Sequence, residues 1–445
     1  MIYRVLRTVL KQKKDPGLYE YLDHHMHLSN NLYNATLFRI RQNFTSRKKE
    51  HSTENELEVQ REIEETLELC PHLKRPKSVL SYKFLERMMR VMDNPDFFAG
   101  LPSQTAEECQ KAAVHDFRSW LASLRKYKKH PEKYLGKPKM PHYKKKRSIS
   151  TITFSNQGCK IKEGDILRFA LTNETYRPEG RLKEVKVKPY YGDLLLACTF
   201  ECPDPEEKVK GSGVCAIDLG VENIAAIVSS KGDCWLYKGG VLKEKNQWYN
   251  KQLARLRSIA MKGHDTKEAA KMGLLNTKQM RRLHQKRDLF FHDAMHKISS
   301  RIVQECMDHG ITTIVIGVNE QWKQSIELGK NAQSFVQMPF YQLRKMIEYK
   351  AERVGIEVIS QEESYTSKAD LTAGDHIPTY GVDDEKAKFS GTRVKRGLYQ
   401  NKEGNLFNAD LIGAGNILRK KFPETFSKIT DFSFLQDIKV IQVFS

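Results

Sequence analysis

The sequence predicts a multidomain α+β protein: a helical N-terminal lobe, a small β-barrel and an α/β domain. Three observations predict it. Apolar residues recur at helical spacing from Leu18 to about Tyr127. Short alternating runs separated by turn residues fill 148–202. After 213, strand-like runs alternate with long helical ones in a βαβ pattern.

The elements follow in order. MIYRVLRTVL (1–10) reads as a first strand that completes the barrel. Leu18, Leu22, Met26, Leu32, Leu37, Ile40 and Phe44 mark one helix. Residues 45–100 are charge-rich and helical, broken by prolines 71, 76 and 95. A further helix spans about Ser103–Tyr127, with Gln104, Cys109, Ala112, Phe117, Trp120 and Leu124 along it. KYKKHPEKYLGKPKMPHYKKKR (126–147) is extended or loop by composition. PDPEEKVKGSG (203–213) is a linker. GVCAIDLGVENIAAIVSS reads as two hairpin-paired strands, and 243–309 as long helix. ITTIVIG (311–317) and IEVISQEE are strands, joined by the amphipathic helix MPFYQLRKMIEYKAERVG with its glycine cap. NADLIGAGNILRKKF opens a last helix, and no internal repeat is visible.

Composition narrows the function. The 445 residues carry 75 Lys+Arg against 55 Asp+Glu, a formal charge of +20. A folded chain this basic implies a polyanionic partner, nucleic acid before an anionic membrane surface. With 39% hydrophobic residues there is enough apolar material for real cores, which argues against a disordered basic tail. No run approaches a membrane span, and the first apolar run is too short for a signal peptide. Eight scattered cysteines form no CxxC pair and fit a reducing, cytoplasmic setting, nucleoid-associated in a prokaryote.

Two aspartates carry the chemistry. Asp218 ends an apolar run in AIDLGVEN, and Asp410 opens the helix of NADLIGAGN. Each alone reads as a strand-end or capping residue. Together they resemble the layout of RNase H-like nucleases, where three or four acids hold two Mg²⁺ ions. A third acid is needed, and the usual position, the end of ITTIVI, is Gly317. Glu363, Glu320 and Glu362 are the candidates, in that order. A βαβ crossover sets its two strands parallel, so a glutamate moved to the next strand end, about 5 Å away, reaches the same metals.

On AIDLGVENIAAI, DAMHKISSRIV, IVIGVNEQWKQ, EESYTSKAD, FSGTRVKRGLY and NADLIGAGNILRK, the chain resembles the TnpB family of transposon-encoded, RNA-guided nucleases related to compact type V CRISPR effectors. Weaker matches lie at 32–44, 101–117 and 136–146. The resemblance implies a first barrel strand (1–14), a helical recognition lobe (15–130), a β-barrel wedge domain (131–205) and an RNase H-like (RuvC) α/β nuclease domain (206–365 and 408–445). Between the nuclease parts lies a target-nucleic-acid-binding insert (366–407). It implies RuvC catalytic and metal-binding roles for Asp218 and Asp410, and for Glu363 in the E-S-Y-T-S motif. It implies two Mg²⁺ ions (Mn²⁺ as substitute), a guide RNA, a double-stranded DNA target, no membrane, and a monomer or a homodimer on one RNA. Many relatives carry a cysteine zinc ribbon in the insert. Residues 366–407 contain no cysteine and Ala369 stands where one could follow TSK, so no zinc is expected and the chain resembles a branch without the ribbon.

Other motifs fit nucleic acid. Lys137, Lys139, Lys144, Lys145, Lys146 and Arg147 with Tyr143 offer cations for phosphates and a ring for stacking, or else a solvated basic loop. Trp322 with Lys323 offers a stacking platform or a core cap. Lys368, Arg393, Lys395 and Arg396 surround the acids, either to position a strand or as internal charge pairs. His292 and His296, at i and i+4, lack the companions of a metal site. Asn416 lies off the Asp410 face and is read as packing or backbone contact rather than a ligand. The leading expectation is an RNA-guided DNA endonuclease. The rivals are a nuclease-dead RNA-guided DNA-binding repressor and a transposition-associated protein, accessory or strand-joining.

Overall fold

The computed structural model describes residues 2–47, 50–162, 166–170, 172–173, 175–177, 180–203, 209–318, 337–383 and 387–444. Glu320, Trp322 and Lys323 lie outside the described residues. The chain divides into two units, Met1–Pro203 and Asp204–Ser445.

In the first unit, α1 (Pro16–Ser46) buries the stripe Leu18, Leu22, Met26, Leu32, Leu37 and Ile40, as its spacing predicts. Helix α2 (Glu54–Leu69) starts at a capping box: the Thr53 side chain accepts from the Glu56 amide, and Glu56 accepts from the Thr53 amide. Helix α3 (Tyr82–Val91) is capped by Ser81. Helix α4 (Ser103–Lys129) buries Ala106, Cys109, Ala113, Val114 and Phe117, while Ala112 is exposed, one residue off the expected stripe.

The β-rich part departs from expectation. Strands β1 (Ile2–Leu10), β2 (Ile152–Ser155), β6 (Arg181–Tyr190) and β7 (Asp193–Cys202) form one antiparallel sheet in the order β1-β7-β6-β2. Strands β3 (Cys159–Lys162), β4 (Ile166–Phe169) and β5 (Thr175–Tyr176) form a separate sheet. The N-terminal strand does join β7 along its whole length. Among the described residues, however, no ladder connects the two sheets into a closed barrel.

The second unit is built on a six-stranded sheet, order β12-β11-β8-β9-β10-β16. Its strands are β8 (Gly213–Asp218), β9 (Asn223–Ser229), β10 (Cys234–Lys238), β11 (Ile311–Val318), β12 (Glu357–Glu362) and β16 (Ile438–Ile441). Strands β8, β9 and β10 meander antiparallel, while β11 and β12 run parallel to β8. Strands β10 and β16 are too short for a pattern reading to isolate. The long helical stretch is three helices, α5 (Gly240–Ala260), α6 (Thr266–Lys271) and α7 (Lys278–Asp308), separated near Gly263 and Gly273, both at positive φ.

Side chains alternate along a strand, so each face has its own cover. Cys215, Ile217, Ile314 and Ile316 share a core with α7 residues and with Leu343 and Ile347 of α8 (Phe340–Arg353). Ala216, Ala226 and Val315 face α9 (Ala409–Lys421), through Ile412, Ala414 and Ile417. The insert adds a small sheet, β13 (Thr392–Lys395), β14 (Leu398–Gln400) and β15 (Leu406–Asn408). Among the described residues no helix is long and apolar enough to cross a membrane.

Candidate active site

Three strands deliver the site to one sheet edge. Ile316 pairs with Ile217 across β11–β8, and Gly317 with Gln361 across β11–β12. Asp218, Gly317 and the end of β12 therefore sit side by side at strand spacing, about 4.8 Å each. Asp218 follows Ala216 by two residues and Gly317 follows Val315 by two, so both share the face that α9 covers.

Small residues on α9 allow its close approach. A Cβ at Gly413 would stand 2.6 Å from Asp218 Oδ2. Asp410 enters at the first turn of the same helix, where Asn408 Oδ1 accepts from the Asp410 and Leu411 amides at 3.0 and 3.3 Å.

Glu363 fills the space beside Gly317. A Cβ at Gly317 would lie 2.6 Å from Glu363 Oε2, so the glutamate carboxylate occupies the space a side chain at 317 needs. Its backbone is held on both sides. The Glu363 amide donates to the Val318 carbonyl at 3.3 Å, and Thr366 Oγ1 donates to the Glu363 carbonyl at 2.8 Å. Tyr365, between them, takes φ 64°, which turns the chain sharply. Asn416 Nδ2 donates to the carbonyls of Thr366 and Ala369 at 2.9 and 2.7 Å, tying this turn to α9. Asn416 thus makes backbone contacts.

Glu362 is committed elsewhere. It accepts from the Lys420 ammonium at 2.6 Å and from the Ser364 amide at 2.6 Å. Lys420 also donates to the Pro378 carbonyl at 2.8 Å. These bonds hold the Glu362 carboxyl below its usual range, against burial. Glu363 is pushed the other way, to about 7, by burial and then by the Glu362 charge. Asp218 is pushed to about 8 by burial, then by Glu363 and Asp410, with Arg393 opposing. Burial with carboxylate neighbours, as at Asp218, marks a site short of positive charge.

Among the described residues, two side chains reach the Asp410 carboxylate. Asn223 Nδ2 donates to its Oδ2 at 2.8 Å, and Arg393 reaches its Oδ1 at 3.3 Å. Sequence reasoning did not single out Asn223, although it stands five residues after Asp218 in DLGVEN. Of Lys368, Arg393, Lys395 and Arg396, Arg393 is the one paired with an acid of the site among the described residues. Lys368 lies over the Tyr365 ring at 5.6 Å, while Lys395 and Arg396 are exposed.

The oxygen-only donor set suits a hard divalent cation such as Mg²⁺. Among the described residues, no three Asp, Glu, His or Cys side chains are gathered closely enough to enclose an ion as they stand. His292 Nδ1 and Gln342 Nε2 are 2.7 Å apart, and His296 Nδ1 lies 3.4 Å from the Tyr349 hydroxyl, which spends both rings within the fold.

The insert is organised by a carboxylate where a ribbon uses cysteines. Asp370, fully buried, accepts from the Thr372 amide and hydroxyl, the Ala373 amide and the Lys402 amide. Asp375 accepts from the Asp370 amide and from the amide and hydroxyl of Ser390. Tyr399, buried, donates to the Lys368 carbonyl at 2.9 Å. Ala369 is buried too.

In the first unit, the basic segment is laid along α1. Asn34 bonds both backbone groups of Lys144, and Trp120 Nε1 donates to the Pro138 carbonyl at 3.1 Å. Arg41 covers one face of Tyr143 at 4.8 Å, and Lys144 lies over Tyr33 at 4.5 Å. Tyr143 therefore does not offer two free faces, and Lys144 is half-buried. Lys137, Lys139, Lys145, Lys146 and Arg147 remain exposed.

The OrfB_IS605 family model, "Probable transposase", matches residues 197–323, and the "Cas12f1-like, TNB domain" model matches 340–417. The TnpB-like protein ORF457 of Acidianus two-tailed virus is 31% identical over 214 residues. Over these segments the chain is similar to the TnpB family. The match to ORF457 spans 48% of this chain and 43% of that protein, so the chain matches less than half of the relative's length. A Cas12f1–sgRNA–target DNA complex aligns at TM-score 0.46 and 15% identity, over 90% of this chain and 83% of that one. The mini-RNA-guided endonuclease Cas_phi3 aligns at TM-score 0.46 and 9% identity, over 94% and 92%.

Proposed function

We propose that this protein is a TnpB-type RNA-guided DNA endonuclease whose RuvC-type site is Asp218, Glu363 and Asp410. The carrying observation is the exchange at Gly317, whose side-chain space is filled by Glu363 Oε2. A chain that had simply lost its third acid would leave that space empty or apolar. The exchange therefore speaks against a nuclease-dead repressor. The sheet order β12-β11-β8-β9-β10, with an antiparallel meander and two parallel additions, supports the RNase H-like reading.

The three carboxylates would hold the divalent ions. Bound there, a pair of Mg²⁺ ions supplies an activated water and a stabilised leaving oxygen. The protein's own part is positioning. Thr366 and Asn416 fix the Glu363 turn, Lys420 draws Glu362 aside, and the Asn408 cap sets Asp410. Arg393, 39% exposed and on a short strand, is free to leave Asp410 for a phosphate of the scissile strand. Exposed Lys137, Lys139, Lys145, Lys146 and Arg147 would grip nucleic-acid backbone, with sequence read by guide pairing.

The test uses protein co-expressed with its native flanking DNA, so that any guide co-purifies. Sequencing that RNA and assaying Mg²⁺-dependent cutting of a matching target should show a guide and cleavage. Asp218→Ala or Asp410→Ala should abolish cleavage and leave target binding. Cleavage by either variant at the wild-type rate refutes the site; absence of one dominant RNA refutes the guided reading.

A further inference from the structure

We propose that Asn223 and Lys238 are positioning residues for Asp410, a two-step relay that fixes its carboxylate for metal binding. This rests on reading Asp410 as a metal ligand. Lys238 Nζ donates to Asn223 Oδ1 at 3.1 Å, and Asn223 Nδ2 donates to Asp410 Oδ2 at 2.8 Å.

The direction of the relay is chemically forced. An ammonium has only donors, so the amide oxygen must face Lys238. An ionised carboxylate has only acceptors, so the amide nitrogen must face Asp410. The lysine charge polarises the amide and strengthens the bond it makes at its other end.

The backbone is built to bring the pair together. Along β9–β10, Tyr237 pairs with Ala225, but Lys238 pairs with Asn223, skipping Ile224. A regular ladder would set Lys238 opposite Ile224 and turn its side chain to the other face. The irregularity re-aims Lys238 at Asn223. Asn223 is 6% exposed and rigidly seated, whereas Lys238 is exposed at the strand end.

The two Asp410 partners therefore differ in kind. Arg393 comes from the insert and competes with a cation at Oδ1. Asn223 is neutral and holds Oδ2 by one bond, leaving the carboxylate its charge. Outer partners of this sort orient a ligand and raise its affinity for metal.

The experiment titrates Mn²⁺ into the purified full-length protein without target DNA, following the paramagnetic signal of free Mn²⁺. Asn223→Ala should weaken binding by about tenfold or more. Lys238→Met should weaken it by a smaller factor, with an unchanged metal-free melting temperature because Lys238 is exposed. Lys238→Arg should restore wild-type binding. Wild-type affinity in both Asn223→Ala and Lys238→Met, with loss in Asp410→Ala, would overturn the relay and leave the site standing. Wild-type affinity in Asp410→Ala would instead overturn the ligand assignment beneath it.

Discussion

The two faces of the six-stranded sheet use the same strands for different purposes. On one face Cys215, Ile217, Ile314 and Ile316 meet the large side chains Phe291, Met295, Ile298, Ile302 and Leu343 of α7 and α8. On the other face Ala216, Ala226 and Val315 meet α9, whose Ala414 joins that core and whose Gly413 lies against Asp218. The first face is thick and apolar to its end. The second is thin, and its thinness lets a helix carrying an acid reach strand ends carrying two more. Alternation along a strand makes this possible: one residue of shift separates Ile217 from Asp218.

The comparison can be broken at its tightest contacts. On the thin face, Gly317→Ala puts a methyl 2.6 Å from Glu363 Oε2, and Gly413→Ala puts one 2.6 Å from Asp218 Oδ2. Displacing a ligand by about 1 Å costs on the order of 100-fold in rate. Each variant should lose about that much in a single-turnover cleavage assay while still binding guide. Wild-type rates would mean that the face is not tuned around the acids.

On the thick face the expected loss is in stability. Ile302→Ala removes a fully buried side chain and should cost about 2–5 kcal/mol in chemical denaturation. Its metal dependence of cleavage, measured below its melting temperature, should match wild type. A shifted metal midpoint would show that the two faces are coupled.

A smaller effect sharpens the electrostatic difference. Asp218 and Glu363 have folded pKa values raised to about 8 and about 7 from 3.8 and 4.5. Groups raised in this way favour the fold at low pH, and that contribution is lost as pH rises through the folded values. Metal-free protein should therefore lose melting temperature between about pH 5 and pH 8, and Mg²⁺ should restore more of it at pH 8 than at pH 5. Asp218→Asn should flatten the dependence. A pH-independent gain from Mg²⁺ would contradict the shared-charge site.

Much of this was legible in the sequence, for physical reasons. Asp218 and Asp410 stood out because each carboxylate borders an apolar run and small residues. Glu363 followed from the parallel ends of a βαβ unit. The helices from Leu18 to about Tyr127 are set by periodicity. What was hidden is what long-range pairing decides. Arg41 caps Tyr143 from about a hundred residues away, and Lys238 reaches Asn223 only through a ladder irregularity. Asp370 is not singled out by its sequence context, yet its carboxylate gathers amides and a hydroxyl across the insert.

The central claim is that the third acid stands at 363. The most direct measurement is cleavage of a guide-matched target by Glu363→Gln, beside Glu362→Gln and Glu320→Gln, with target binding measured in each. The account predicts that Glu363→Gln binds target but does not cut, while the other two cut at rates near wild type. Wild-type cutting by Glu363→Gln, or its loss in either of the others alone, would contradict it.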